Sequence, residues 1–205
     1  MKRISRRKAL QLFSSAPVAA AAIVWTSSET EAAQAQGQAA RRQAAERGLP
    51  FKPKFFTRHE FATVTMLADL IIPRDERSGS GSDAGVPEFM DFMMVDEPLR
   101  QTAMRGGLAF IDHLCEARLD KSFIESTDDE RKRVLDDLAF PGKVDPAFAH
   151  GAAFFSSFRD LTASGFWTSR MGIEDLQYLG NKPVAEWKGC PSEALEHLGV
   201  KYERE

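Results

Sequence analysis

The chain is poor in the residues that usually carry chemistry. Its 205 residues hold two cysteines, Cys115 and Cys190, and four scattered histidines, His59, His113, His150 and His197. Two cysteines cannot build a disulfide framework, so an apolar core has to supply the stability. No H-E-x-x-H, C-x-x-C or C-x-x-C-H pattern occurs, which removes the common zinc and haem signatures. G-x-G-x-x-G, a phosphate-binding loop and a G-x-S-x-G nucleophile elbow are missing as well. Basic residues do not exceed acidic ones: the formal charge is −3, and no basic stripe marks a nucleic-acid binder. No apolar run approaches the roughly 20 residues of a membrane-spanning helix.

What is present begins at the N-terminus. Ser5, Arg6, Arg7 and Leu10 stand in the spacing of a twin-arginine signal, with Lys2, Arg3 and Lys8 adding to a basic region. Ala9 stands where such signals prefer Phe. The apolar stretch Ala9 to Trp25 is weakly hydrophobic and broken by Gln11, Ser14, Ser15 and Pro17. Ala33-Gln34-Ala35 then supplies a small-x-small cleavage pattern. A basic region, an apolar region and a cleavage pattern in that order predict a signal over residues 1–35 and export of folded cargo to the periplasm. A basic tail or an uncleaved anchor is the alternative. No Cys follows the apolar run, so nothing suggests a lipid anchor. The first 35 residues carry five basic and two acidic side chains, so removing them takes the charge to −6.

Residues 36–54 are expected to be a linker, rich in Gln, Ala and Arg and closed by Leu49-Pro50-Phe51-Lys52-Pro53. Residues 55–205 are expected to form one helical domain. Thr57 with Glu60, and Thr127 with Glu130, make capping boxes. Phe61, Val64, Leu67, Ala68 and Ile71 recur at helical spacing up to Pro73. "RDERSGSGSDAG" has the composition of a flexible loop. Helices are predicted over Val86–Val95, from Pro98 to Leu119, after Thr127, after Asp145-Pro146 up to a stop near Gly165, and over Ser192–Leu198. Gly106-Gly107 inside the third of these points to a close helix crossing. Strand-period runs are missing. The fold class is all-α, an irregular bundle of about five to seven helices with long loops.

With 43% hydrophobic residues the chain can bury a core, and fifteen Phe against two Tyr is a heavy apolar aromatic load. Phe154, Phe155 and Phe158 are candidates for a partner surface or for plain core packing. Trp167, Tyr178 and Trp187 lie in loop-like sequence and keep a polar handle, which suits an interface. The carboxylate groups Asp128-Asp129-Glu130 and Asp136-Asp137 fit a helix start and a solvated face better than acid–base work. Cys115 sits on an apolar helix side and Cys190 in a Gly–Cys–Pro turn. An internal bridge, a bridge to another chain and two free thiols all remain open.

Several segments together resemble the gluconate 2-dehydrogenase subunit 3 family. They are Leu67-Ala68-Asp69-Leu70-Ile71-Ile72-Pro73; Ala84-Gly85-Val86 with Glu88-Phe89-Met90-Asp91; Gly107-Leu108; Phe154-Phe155 through Leu161-Thr162; Gly165-Phe166; and Tyr178-Leu179-Gly180-Asn181 with Pro183. The serine–glycine loop and Phe166-Trp167 depart from the family pattern. The resemblance implies a non-catalytic small subunit, with neither catalytic nor cofactor-binding nor metal-binding residues of its own. It implies a large FAD-dependent sugar or polyol dehydrogenase as partner, with a cytochrome c subunit as a further one. The small subunit would carry the export signal and escort the flavoprotein, touching the membrane only through the complex. Asn181 joins the candidate interface on the same ground. Two other readings stay open: a standalone periplasmic sugar-binding module, and an enzyme with an unrecognised site.

Overall fold

The computed structural model describes residues 27–178, 186 and 189–202. Eight α-helices lie among them, and no strand does. They are α1 (Ser27–Glu46), α2 (Arg58–Ile71), α3 (Val86–Asp96), α4 (Gln101–Leu119), α5 (Asp128–Ala139), α6 (Ala149–Trp167), α7 (Arg170–Asp175) and α8 (Ser192–Leu198). The class is all-α, an irregular bundle. The count exceeds the expected five to seven through α1 and the six-residue α7.

The centre of the bundle is α3. Every residue from Val86 to Met94 is buried, so the helix is covered on all sides. α1, α2 and α6 pack around it. Burying a helix completely also buries its polar side chains, and Asp91 shows how this is solved. Its carboxylate is fully buried and accepts three backbone N–H groups, from Lys54 (2.7 Å), Phe55 (2.9 Å) and Phe56 (3.0 Å). The chain is thereby clamped just before α2. Thr57 and Glu60 then close the capping box: Thr57 N–H donates to Glu60 Oε2 at 2.7 Å and Glu60 N–H to Thr57 Oγ1 at 3.2 Å. Thr127 and Glu130 do the same for α5.

α1 corrects the expected linker. Residues 36–46 are helical and continue a helix that starts within the expected signal segment. Its buried stripe is Thr30, Ala33, Gln34 and Gly37, spaced i, i+3, i+4, i+7. None of these is a large apolar residue, so the stripe has the composition of a linker. Ala, Gln, Arg and Glu are nevertheless good helix formers. Small side chains let the backbones approach: a Cβ on Gly37 would lie 3.0 Å from Phe89 N. After Glu46, Gly48 turns the chain at φ +66°.

α4 and α6 cross through a reciprocal exchange. The Phe154 ring of α6 lies where a Cβ on Gly107 would stand, and the Phe110 ring of α4 lies where a Cβ on Gly151 would stand, both at 2.0 Å. The expected close crossing is therefore made by Gly107, while Gly106 faces open space. Gly165 does not end α6, which continues to Trp167. It is buried because the Phe89 ring occupies the place of its side chain.

Two predictions follow from this packing. Gly106 and Gly107 share one helix, so Ala raises helix propensity equally at both, and only Gly107→Ala collides with Phe154. Gly106→Ala should stabilise by about 0.5–1 kcal/mol and Gly107→Ala should destabilise by about 1–3 kcal/mol, read from urea midpoints. Glu88 is the polar group α3 satisfies least: its Oε2 has no hydrogen-bond partner and Arg41 Nε stands 3.8 Å from Oε1. Burial pushes its carboxyl above the ordinary glutamate range, and the attraction of Arg41 offsets this only partly. The folded state then binds this proton more tightly than the unfolded chain. Its contribution is therefore most favourable at low pH and declines as pH rises from the ordinary glutamate range through the raised value. Glu88→Gln should remove that decline and raise the melting temperature at pH 7.

Candidate functional site

The segment between α2 and α3 has the composition of a flexible loop but is strapped down. Asp69, at the end of α2, accepts Ser82 N–H at 2.7 Å and Ser82 Oγ–H at 2.8 Å. Asp83 accepts Ser80 N–H at 2.8 Å and the Arg74 guanidinium at 2.6 Å. The Ser80 backbone bond, above all, holds its carboxyl below the ordinary range. Asp75 is lowered in the same way by the Ser78 and Arg77 backbone N–H groups. Small residues are needed here for proximity: a Cβ on Gly81 would stand 2.8 Å from Ala68 O. Glycine and serine in this loop serve tight packing, which composition alone reads as mobility.

This loop positions α7. Ser169 caps the helix, its Oγ accepting Gly172 N–H at 3.0 Å and donating to Phe166 O at 2.6 Å. Gly172 packs against the end of α6, where a Cβ would meet Phe166 O at 2.1 Å. Arg77 reaches across to donate to Asp175 O. Its guanidinium also lies 3.2 Å from the Asp175 carboxylate, close enough for an ion pair but without hydrogen-bond alignment. Around this fixed corner stand Trp167, Ile173, Leu176 and Tyr178, exposed by 39%, 39%, 55% and 59%. Four exposed apolar residues thus fall within twelve residues of sequence, and a second group, Leu198, Val200 and Tyr202, is exposed at α8 and just after it. Two open clefts flank α7. One, of about 420 Å³, lies between α1, the loop and α7, lined by Arg41, Arg42, Asp83, Arg170, Met171 and Glu174 among others. The other, of about 310 Å³, is lined by Arg77, Met171, Glu174, Asp175 and Gln177. The arrangement is a rigid corner with apolar knobs and charged recesses, fit for docking another surface.

The expected interface residues divide sharply. Phe155 and Phe158 are buried at 7% and 1% exposure, and Phe154 is half-buried against Gly107. Their expected place on a partner surface is corrected to the core, since α6 turns that side toward α4 and α3. Trp167 and Tyr178 are exposed. Asn181 and Trp187 lie outside the described residues, as do Ser5, Arg6, Arg7 and Leu10. Ala33 and Ala35 sit in α1, on opposite sides of it. Ile173 and Leu176 were not singled out in the sequence; their spacing of three behind the Ser169 cap was the available signal.

Among the described residues no three His, Cys, Asp or Glu side chains are grouped to hold a metal ion. His59 Nε2 pairs with Asp112 Oδ2 at 2.6 Å, and Asp112 Oδ1 accepts Phe123 N–H at 3.0 Å. This polar contact ties α2, α4 and the turn before α5 together. His113, His150 and His197 are exposed. Cys115 and Cys190 are both free thiols, the first buried and the second exposed. Burial, then the Asp112 carboxylate, pushes the Cys115 thiol up.

Residues 58–189 match the family model described as Gluconate 2-dehydrogenase subunit 3. The chain belongs to the gluconate 2-dehydrogenase subunit 3 family. No curated protein and no solved structure matches it. The match starts with α2 and ends just before Cys190, so α1 of this subunit lies wholly outside it.

A thiol test checks the packing of the subunit. Maleimide should modify Cys190 alone in the folded subunit and both cysteines after urea unfolding, read by peptide mass. Modification of Cys115 at a comparable rate in the folded state would contradict its burial.

Proposed function

We propose that this chain is the non-catalytic small subunit of a periplasmic FAD-dependent sugar or polyol dehydrogenase, and that it carries the export signal for the catalytic subunit. The observation that carries this reading is membership of a family named for the third subunit of a dehydrogenase. The leader supports it: Arg6 and Arg7 suit a route that moves folded cargo, and a flavoprotein that acquires FAD in the cytoplasm has to cross folded. The α7 corner supports it too. Trp167, Ile173, Leu176 and Tyr178 expose apolar side chains there, and Arg77, Arg170 and Glu174 line the neighbouring clefts, a mix of apolar and charged groups that suits a protein–protein contact. FAD belongs to the partner in this reading, and a cytochrome c subunit completes electron transfer.

The test is the double substitution Arg6→Lys with Arg7→Lys in cells that also express the partner. Both proteins should accumulate in the cytoplasm, with dehydrogenase activity lost from the periplasmic fraction and retained in the cytosol. A partner that still reaches the periplasm in that strain would end the escort reading.

A further inference from the structure

We propose that Ala33-Gln34-Ala35 is a packing element of the folded subunit and not a processing site, so that the leader stays joined to the exported protein. The inference rests on the export reading above. The motif lies in the second turn of a 20-residue helix. Ala33 is 1% exposed and Gln34 3%. Gln34 Nε2 donates to Ala84 O at 2.9 Å, two residues before α3. One turn on, Gly37 rests against the backbone of Glu88 and Phe89. Another turn on, Arg41 donates to Ser82 O at 2.9 Å and to Asp83 O at 3.2 Å. The motif is thus held on both sides of the bond that would be cut.

A peptidase that recognises small residues at alternate positions needs an extended strand, in which residues two apart face the same way. In a helix, residues two apart are rotated by about 200°. Ala33 accordingly points into the core while Ala35 is exposed. Binding the site requires α1 to leave α3 and unwind. Cargo that crosses folded arrives with α1 already seated, so the peptidase meets a closed helix. Residues 27–46, which follow the apolar stretch, all lie in α1, and a cut further along it meets the same obstacle. Scission after Ala35 would also strip Thr30, Ala33 and Gln34 from the cover of α3.

The test compares N-termini. Subunit is recovered from the outer face of the inner membrane, with its partner, and its intact mass is measured. The whole chain of 22.8 kDa is expected. A chain beginning at Gln36, or at any point that removes the leader, overturns this inference while leaving export standing. Absence of the subunit from the outer face overturns both. Gly37→Val leaves the motif unchanged but places side-chain atoms against the Phe89 backbone; it should free α1 and convert the exported subunit to the form beginning at Gln36. Exported Gly37→Val subunit that keeps its leader would show that docking is not what protects the site. A second measurement does not depend on that variant folding. Purified leader peptidase should cut a synthetic peptide of residues 20–42 after Ala35 and leave the folded full-length chain intact. Equal cleavage of both overturns the proposal, and cleavage of neither overturns its claim that docking is what protects the site.

Discussion

Complete burial of α3 is the constraint from which the rest of the bundle follows. A helix with one apolar face needs one neighbour; a helix buried from Val86 to Met94 needs neighbours all round. α2 and α6 supply two walls, and both lie within the family match. α1 supplies a third from outside it. The requirement extends to polar groups. Asp91 is tolerated in the interior because three backbone N–H groups converge on it, and those groups fix the path of residues 54–56. Glu88 is tolerated less well, which is why α1 brings Arg41 toward it.

Three of the residues that carry the family resemblance turn out to be fasteners. Asp69 ties the Ser-Gly loop to α2, Asp91 ties the chain ahead of α2 to α3, and Gly107 admits the Phe154 ring. None of them lines the clefts beside α7. Much of the signature therefore describes how the scaffold is held, while Ala84 and Tyr178 reach the cleft and the exposed corner. Four of the exposed apolar residues, Trp167, Ile173, Leu176 and Tyr178, sit at the α7 corner, where the match runs toward its end. A protein whose most characteristic residues are committed to backbone hydrogen bonds and close packing is built as a rigid platform. Such a platform suits a subunit that presents a surface to a larger protein.

Much of the scaffold was legible in the sequence because its signals are local. Thr57–Glu60 and Thr127–Glu130 marked two helix starts, Asp145-Pro146 marked the turn that leads into α6, and the 3.6-residue spacing of Phe61, Val64, Leu67 and Ile71 marked α2. What was illegible depended on distant partners. α1 buries Thr30, Ala33, Gln34 and Gly37, a stripe with almost no hydrophobic signal, whose meaning comes from the backbone of α3 fifty residues away. The Ser-Gly loop is ordered by its own Asp75 and Asp83 and also by Asp69 and Arg41, which lie outside it. Gly165 has the local character of a stop, yet it is the seat of Phe89. The candidate interface was half legible: Trp167 and Tyr178 stand exposed, although Trp167 ends α6 where a loop was expected, but adjacent phenylalanines in α6 could not be sorted into core and surface without knowing where α4 lay.

The phenylalanine excess has the same explanation. Phe89, Phe123, Phe158 and Phe166 are fully buried, and Phe110 and Phe154 cover glycines on the facing helix. Phe fills such places without a hydroxyl that would need a buried partner, whereas Tyr would bring one. Of the aromatic residues left outside, Trp167, Tyr178 and Tyr202 each have a polar atom that water or a partner can satisfy, and Phe140 is the one exposed phenylalanine among the described residues. The buried phenylalanines belong to the apolar core of a subunit whose two cysteines are free. The exposed apolar surface near α7 is confined to a few side chains on a corner whose backbone is already fixed. A partner docking there would meet a preorganised surface, and little of the binding energy would go to ordering it.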